Sequence, residues 1–156
     1  MPKKEISILL MIGAPALQER LQQALGERYR VSTVPGLEEG YKATLKVIPD
    51  IILIQSELPD EQAVATCRTL KNNQLSSHIP IILILEQVRP GEEAARFFAN
   101  ALLRSPFTER SLFRVIQQVI SLKIQLMKRY PIFYKSDNPF TREQTYLSEF
   151  IELLPD

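Results

Sequence analysis

Val47-Ile-Pro-Asp-Ile-Ile-Leu-Ile-Gln-Ser-Glu-Leu-Pro59 is the stretch whose reading decides the fold. Ile51 to Ile54 form an unbroken apolar, mostly β-branched run, bounded by Pro49-Asp50 and by Leu58-Pro59. An apolar run without alternation predicts a short strand buried on both faces, in the middle of a parallel sheet. The run ends at Gln55, at the carboxyl edge where open α/β sheets bind their ligands.

Upstream, Ile6 to Ile12 is an apolar run interrupted only by Ser7 and broken by Gly13-Ala-Pro15. Leu17, Leu21 and Leu25 recur every fourth residue, a helical stripe that Gly26 stops. Tyr29 to Val34 reads as a second strand, and Pro35-Gly36 turns the chain. Leu37, Tyr41, Leu45 and Ile48 give a second helical stripe, ended by Pro49. Downstream, Ala63, Val64, Cys67 and Leu70 mark a third helix, and Ile79 to Leu85 a fourth strand. Pro90-Gly91 and Glu92-Glu93 open a fourth predicted helix through Phe98. Ala101 to Arg104 is a short fifth strand, and Ser105-Pro-Phe107 leads to Thr108, a suitable N-cap for a fifth helix. Alternation of this kind predicts an α/β fold: a (βα)5, doubly wound, parallel five-stranded sheet.

Composition narrows the function. A formal charge of +1 gives no electrostatic reason to expect nucleic acid as a partner. Cys67 is the only cysteine, so no internal disulfide can form and a reducing compartment fits best. Its place between Val64 and Leu70 makes it a buried structural thiol rather than a reactive one. The apolar run after Lys3-Lys4 is too short to span a bilayer and has no convincing cleavage site. The expectation is a cytoplasmic protein with no membrane partner.

With these elements in order, residues 6 to 120 resemble the receiver domain of bacterial response regulators, a flavodoxin-like fold. The resemblance rests on Ile8-Leu-Leu-Met-Ile-Gly-Ala-Pro15, Pro49-Asp50 through Leu58-Pro59, His78-Ile-Pro-Ile-Ile-Leu-Ile-Leu85 and Ser105-Pro-Phe107. It implies an acidic, Mg²⁺-holding pair after the first strand, where this chain has Ile12 and Gly13. It implies a phospho-accepting aspartate at Gln55, a Thr or Ser at Leu85, a lysine at Ser105, and an aromatic switch residue at Leu102. An amide is a poor nucleophile, and phosphoryl transfer needs a divalent cation held by hard oxygen ligands. Ile12, Gly13, Gln55, Leu85 and Ser105 therefore read as a degenerate phospho-acceptor pocket, with no catalytic residue, metal ligand or cofactor. Glu57 and Glu86 near its mouth, Asp50 and Asp60, and the single histidine, His78, read as loop residues.

Helical signals outlast the receiver pattern. From Glu109 to Tyr130 neither Gly nor Pro intervenes, a length of about 33 Å as one helix. Leu112, Val115, Ile116, Val119 and Leu122 form one apolar side, and Phe113, Ile120, Ile124 and Met127 another, with Leu126 and Tyr130 continuing past the domain. A helix apolar on two sides needs a second surface: another copy of the chain, or the segment that follows. Arg110, Arg114, Lys123, Lys128 and Arg129 give it a basic excess, read as a solvated face or a dock for an acidic partner. Thr141-Arg-Glu-Gln144 has a capping-box pattern, predicting a terminal helix over 142–154 with Tyr146, Leu147, Phe150, Ile151 and Leu154 on one side. The expected organisation is a pseudo-receiver at 1–120 and a helical extension at 121–156.

The expected function is a non-enzymatic, phosphorylation-independent interaction module in two-component signal transduction. Its expected partners are an unidentified protein and a second copy. The dimer would use the face of the fourth predicted helix, fifth strand and fifth helix, through Leu102, Phe113, Ile120, Ile124, Met127, Tyr130, Tyr146 and Phe150. The alternative is a sensor of a small apolar or quinone-like ligand in the vacated pocket.

Overall fold

A computed structural model describes residues 5–55, 60–85, 98–130 and 139–155. The chain divides into two compact units, Met1–Ser105 and Pro106–Asp156. The fourth predicted helix, apart from Phe98, lies outside the described residues, as do Glu57 and Glu86.

The first unit is built on β1 (Ser7–Ile12), β2 (Arg30–Val34), β3 (Ile51–Gln55), β4 (Ile81–Leu85) and β5 (Ala101–Arg104). All neighbours pair in parallel, in the order β2-β1-β3-β4-β5. This is the flavodoxin-like strand order, whose switch point lies between β1 and β3. Ile51, Ile52, Leu53 and Ile54 are fully buried, as their unbroken apolar run predicts.

Helices α1 (Pro15–Gly26), α2 (Leu37–Val47) and α3 (Asp60–Asn72) connect these strands. Side chains alternate across the sheet, so each face collects every second residue. Leu9, Met11, Ile52, Ile54, Ile81, Leu83 and Leu85 form one cluster with Ala63, Cys67 and Leu70 of α3. Leu37 and Tyr41 of α2 pack against that cluster. Gly40 permits the approach of α2 to β1: a Cβ there would sit 2.5 Å from Met11 Cγ and Sδ. At the opposite end of the central strands, Asp50 Oδ2 accepts from the Ser7 N–H at 2.8 Å and the Ser7 hydroxyl at 3.1 Å. That clamp ties the entry of β3 to the start of β1.

The second unit contains α4 (Glu109–Arg129) and α5 (Pro139–Leu153). Thr108 caps α4 as expected, accepting from the Ser111 N–H at 3.1 Å while Ser111 Oγ accepts from the Thr108 N–H at 3.0 Å. The rings of Phe113 and Phe150 meet edge to face, 5.0 Å between centroids. Gln117 donates to Ser148, and Gln144 donates to Ser121. Partners on α5 fall in number as those on α4 rise, so the two helices run antiparallel.

Two boundaries differ from the sequence expectation. The terminal helix starts at Pro139, so Thr141 lies inside its first turn and does not cap it. Proline suits the first helical turn because its φ is already helical and its missing N–H would have no intrahelical partner there. The contact division after Ser105 places α4 whole in the second unit, rather than splitting it near 120.

Candidate functional site

The carboxyl ends of β1, β3, β4 and β5 bring the five pocket positions to one edge of the sheet. Ile12 is the register partner of Gln55, Gln55 that of Ile84, and Leu85 that of Arg104. The Ser105 N–H donates to the Leu85 carbonyl at 2.8 Å, which sets Ser105 beside the end of β4. Gly13 follows β1 and is exposed, Ile12 is fully buried, and Gln55 and Ser105 are half-buried.

The side chains at this edge do not all converge. Register and alternation put Ile12, Gln55 and Ile84 on one face of the sheet. Leu85, one residue on from Ile84, belongs to the cluster on the α2–α3 face and is 2% exposed. Ile12 and Gln55 therefore share a face, the Leu85 side chain turns to the other, and the Leu85 carbonyl holds the backbone of Ser105. Sequence spacing placed Leu85 at the right edge, but the face it takes depends on a strand register that spacing does not specify.

Gln55 Oε1 is buried and accepts no hydrogen bond from the described residues. An unsatisfied buried acceptor costs about 1–3 kcal/mol. Gln18 of α1 was legible only as a polar position between leucines, yet its Nε2 donates to the Ile12 carbonyl at 3.4 Å. It thus reaches the same edge.

No carboxylate stands at Ile12, Gly13, Gln55 or Ser105. Among the described residues no group of three or more His, Cys, Asp or Glu could hold a metal ion. His78 is exposed, in the turn ahead of β4. Burial pushes the Cys67 thiol up to about 12, against smaller downward pulls from the Lys71 charge and a backbone hydrogen bond. No described helix is long and apolar enough to cross a membrane.

The residues expected at an interface have unequal access. Leu102 lies half-buried in β5, in the first unit. In the second unit Phe113, Ile120 and Ile124 are buried, and Phe113 meets Phe150 of its own chain. The segment that follows thus covers part of α4, one of the two options that its doubled apolar surface left open. Met127 and Phe150 are half-buried, while Tyr130 and Tyr146 are exposed.

No protein-family model matches the chain. Over 100 residues, 63% of its length, it is 27% identical to the response regulator PleD of Caulobacter vibrioides. It spans about a fifth of that relative, 22%. Among solved structures it resembles the chemotaxis response regulator CheY4 of Vibrio cholerae, with a TM-score of 0.67 at 18% identity, over 74% of this chain and 99% of that one. It also resembles the receiver domain of a sensor histidine kinase from Pseudomonas aeruginosa, with a TM-score of 0.66 at 24% identity, over 74% of this chain and 98% of that one. The latter structure holds a magnesium ion coordinated in its active-site cleft. The fold is that of CheY-like receiver domains, and the sequence similarity points the same way.

Proposed function

We propose that this chain is a receiver-like signalling module that acts by binding protein, without accepting a phosphoryl group of its own. The observation that carries the reading is Gln55, an amide at the carboxyl end of the central strand, aligned between Ile12 and Ile84. Each part of phosphoryl transfer lacks its side chain there. Gln55 offers no carboxylate nucleophile, Ile12 and Gly13 offer no oxygen ligands for a divalent cation, and Ser105 offers no cation. Losing the nucleophile alone leaves a site that one substitution could restore; losing all four groups does not. What the scaffold retains is a rigid sheet and the surfaces of its helices, which suits binding.

The test is incubation of the intact chain with acetyl phosphate and Mg²⁺, and separately with beryllofluoride and Mg²⁺. The expected result is unchanged mass and an unchanged amide NMR spectrum. A phosphorylated product, or shifts centred on Gln55, would overturn the reading.

A second reading is favoured by Gln55 Oε1, a buried acceptor with no hydrogen-bond partner among the described residues. On that reading the vacated pocket senses a small, largely apolar ligand with one donor group facing the amide, such as the quinol form of a quinone-like molecule. Titration with a soluble quinol should shift Gln55 and Ile12 resonances in the wild type and not in Gln55→Leu. Identical behaviour of the two proteins would remove the sensor reading.

A further inference from the structure

Phe140, Leu147 and Ile151 turn one side of α5 inward, at 3%, 0% and 5% exposure. The opposite side carries Arg142, Thr145, Tyr146, Glu149, Glu152 and Leu153, all exposed. Tyr146 is 62% exposed and Leu153 84%, two large apolar surfaces on one stripe with charges on either side. Arg142, Tyr146, Glu149 and Leu153 follow one another at helical spacing, so they share one face.

The part of the stripe from Arg142 to Glu149 is complementary to itself. Arg142 and Glu149 lie seven positions apart, about 10.5 Å along the helix, with Thr145 and Tyr146 at the midpoint. If a second α5 lies antiparallel on the first, with a two-fold axis between Thr145 and Tyr146, Arg142 of each copy faces Glu149 of the other. The same register sets Tyr146 against Thr145 and its symmetry mate, and brings Glu152 to the positive N-terminal end of the opposing helix. A slip of one turn separates both ion pairs, so the charges specify this register. We propose that the outer face of α5 is a homodimer contact, with a second copy of this chain as its occupant. This deepens the interaction-module reading by naming one partner and its surface. It also moves the contact away from Phe113, Ile120 and Ile124, which are buried within the chain.

One helix face covers less than the roughly 800 Å² per partner of a standard stable interface. Exposed ion pairs add little each. The dimer is therefore weak, dependent on concentration, and weakened by salt.

Sedimentation equilibrium of the full chain, from micromolar to millimolar concentration, tests it. Expected is a concentration-dependent dimer in the wild type. Arg142→Glu and Glu149→Arg should each weaken it about tenfold or more through like-charge contacts across the axis. The double swap Arg142→Glu/Glu149→Arg should restore it, which also excludes misfolding as the cause of either loss. A wild type that stays monomeric throughout, single swaps that leave the dimer intact, or a double swap that fails to recover it would overturn the proposal. None of those outcomes bears on the acetyl phosphate result, so this contact and the phosphorylation-independent reading fail separately.

Discussion

Gly40 shows how much a single missing atom contributes here. Its Cα lies where α2 crosses β1, and Met11 fills the space that a Cβ would take, at 2.5 Å. Gly40→Ala should therefore cost about 1–3 kcal/mol despite the better helix propensity of alanine. Thermal unfolding should show a lowered Tm; an unchanged or raised one would mean that Met11 yields freely. Gln55 makes the chemical counterpart. Gln55→Asp restores the carboxylate, yet Ile12 and Gly13 still supply no oxygen for a cation, so acetyl phosphate with Mg²⁺ should leave its mass unchanged. Cys67 gives a pH dependence with a definite sign. Its thiol titrates near 9.0 when free of the fold and at about 12 in it. Between those values the folded chain keeps a proton that the unfolded chain has released. The contribution is thus fully present below about pH 9.0 and is lost as pH rises towards about 12. Urea unfolding across that window should show falling stability in the wild type and a flatter profile in Cys67→Ala. At this scale the placement of Gln55 at the carboxyl end of β3 was legible, because an apolar run bounded by breakers is visible in the sequence. The face taken by Leu85 and the contact between Gly40 and Met11 were not, since each depends on a partner distant along the chain.

The elements were legible to different degrees, for physical reasons. β1, β3 and β4 are buried on both faces, so each stands out as an apolar run between breakers, and Ile51 to Ile54 is the clearest of them. β2 lies at the sheet edge and is at most half-buried, so its pattern is weaker, and Tyr29, expected to open it, precedes its start at Arg30. Helix starts separate into two cases. Thr108 was a correct N-cap because its hydroxyl and that of Ser111 satisfy backbone donors reciprocally. Thr141 had an equally good pattern, but α5 starts at Pro139, three residues before the expected 142. A cap signal names a place where a helix can begin; it does not stop the helix from beginning sooner. The Thr108 cap carries a prediction of its own. Thr108→Ala removes the acceptor for the Ser111 N–H and should cost about 1 kcal/mol, while Thr108→Asp should cost much less. Urea midpoints of the three proteins decide it, and equal loss in Ala and Asp would show that the hydroxyl acts by some other contact.

At the scale of the whole molecule, α4 presents more apolar surface than one neighbour can cover, and α5 meets that need within the second unit. Phe150 closes on the edge of Phe113, and the Gln117–Ser148 and Gln144–Ser121 hydrogen bonds fix the register between the helices. Neither helix has reason to persist alone in water: α5 is 15 residues long, near the lower limit for an isolated helix, and its inward side is apolar. Folding of the pair is therefore mutual, and the C-terminal segment is part of the fold rather than a tail. Ending the chain after Tyr130 should uncover the Phe113 side of α4. The expected outcome is binding of an apolar dye such as anilinonaphthalene sulfonate, a lower Tm, and association that grows with concentration through the bared helix. Phe150→Ala in the full chain isolates the ring contact and should produce a smaller loss of the same kind, about 1–3 kcal/mol for a half-buried aromatic. If the shortened chain binds no dye and melts with the full one, α4 is covered without α5, and the pairing of the two helices contributes nothing to stability.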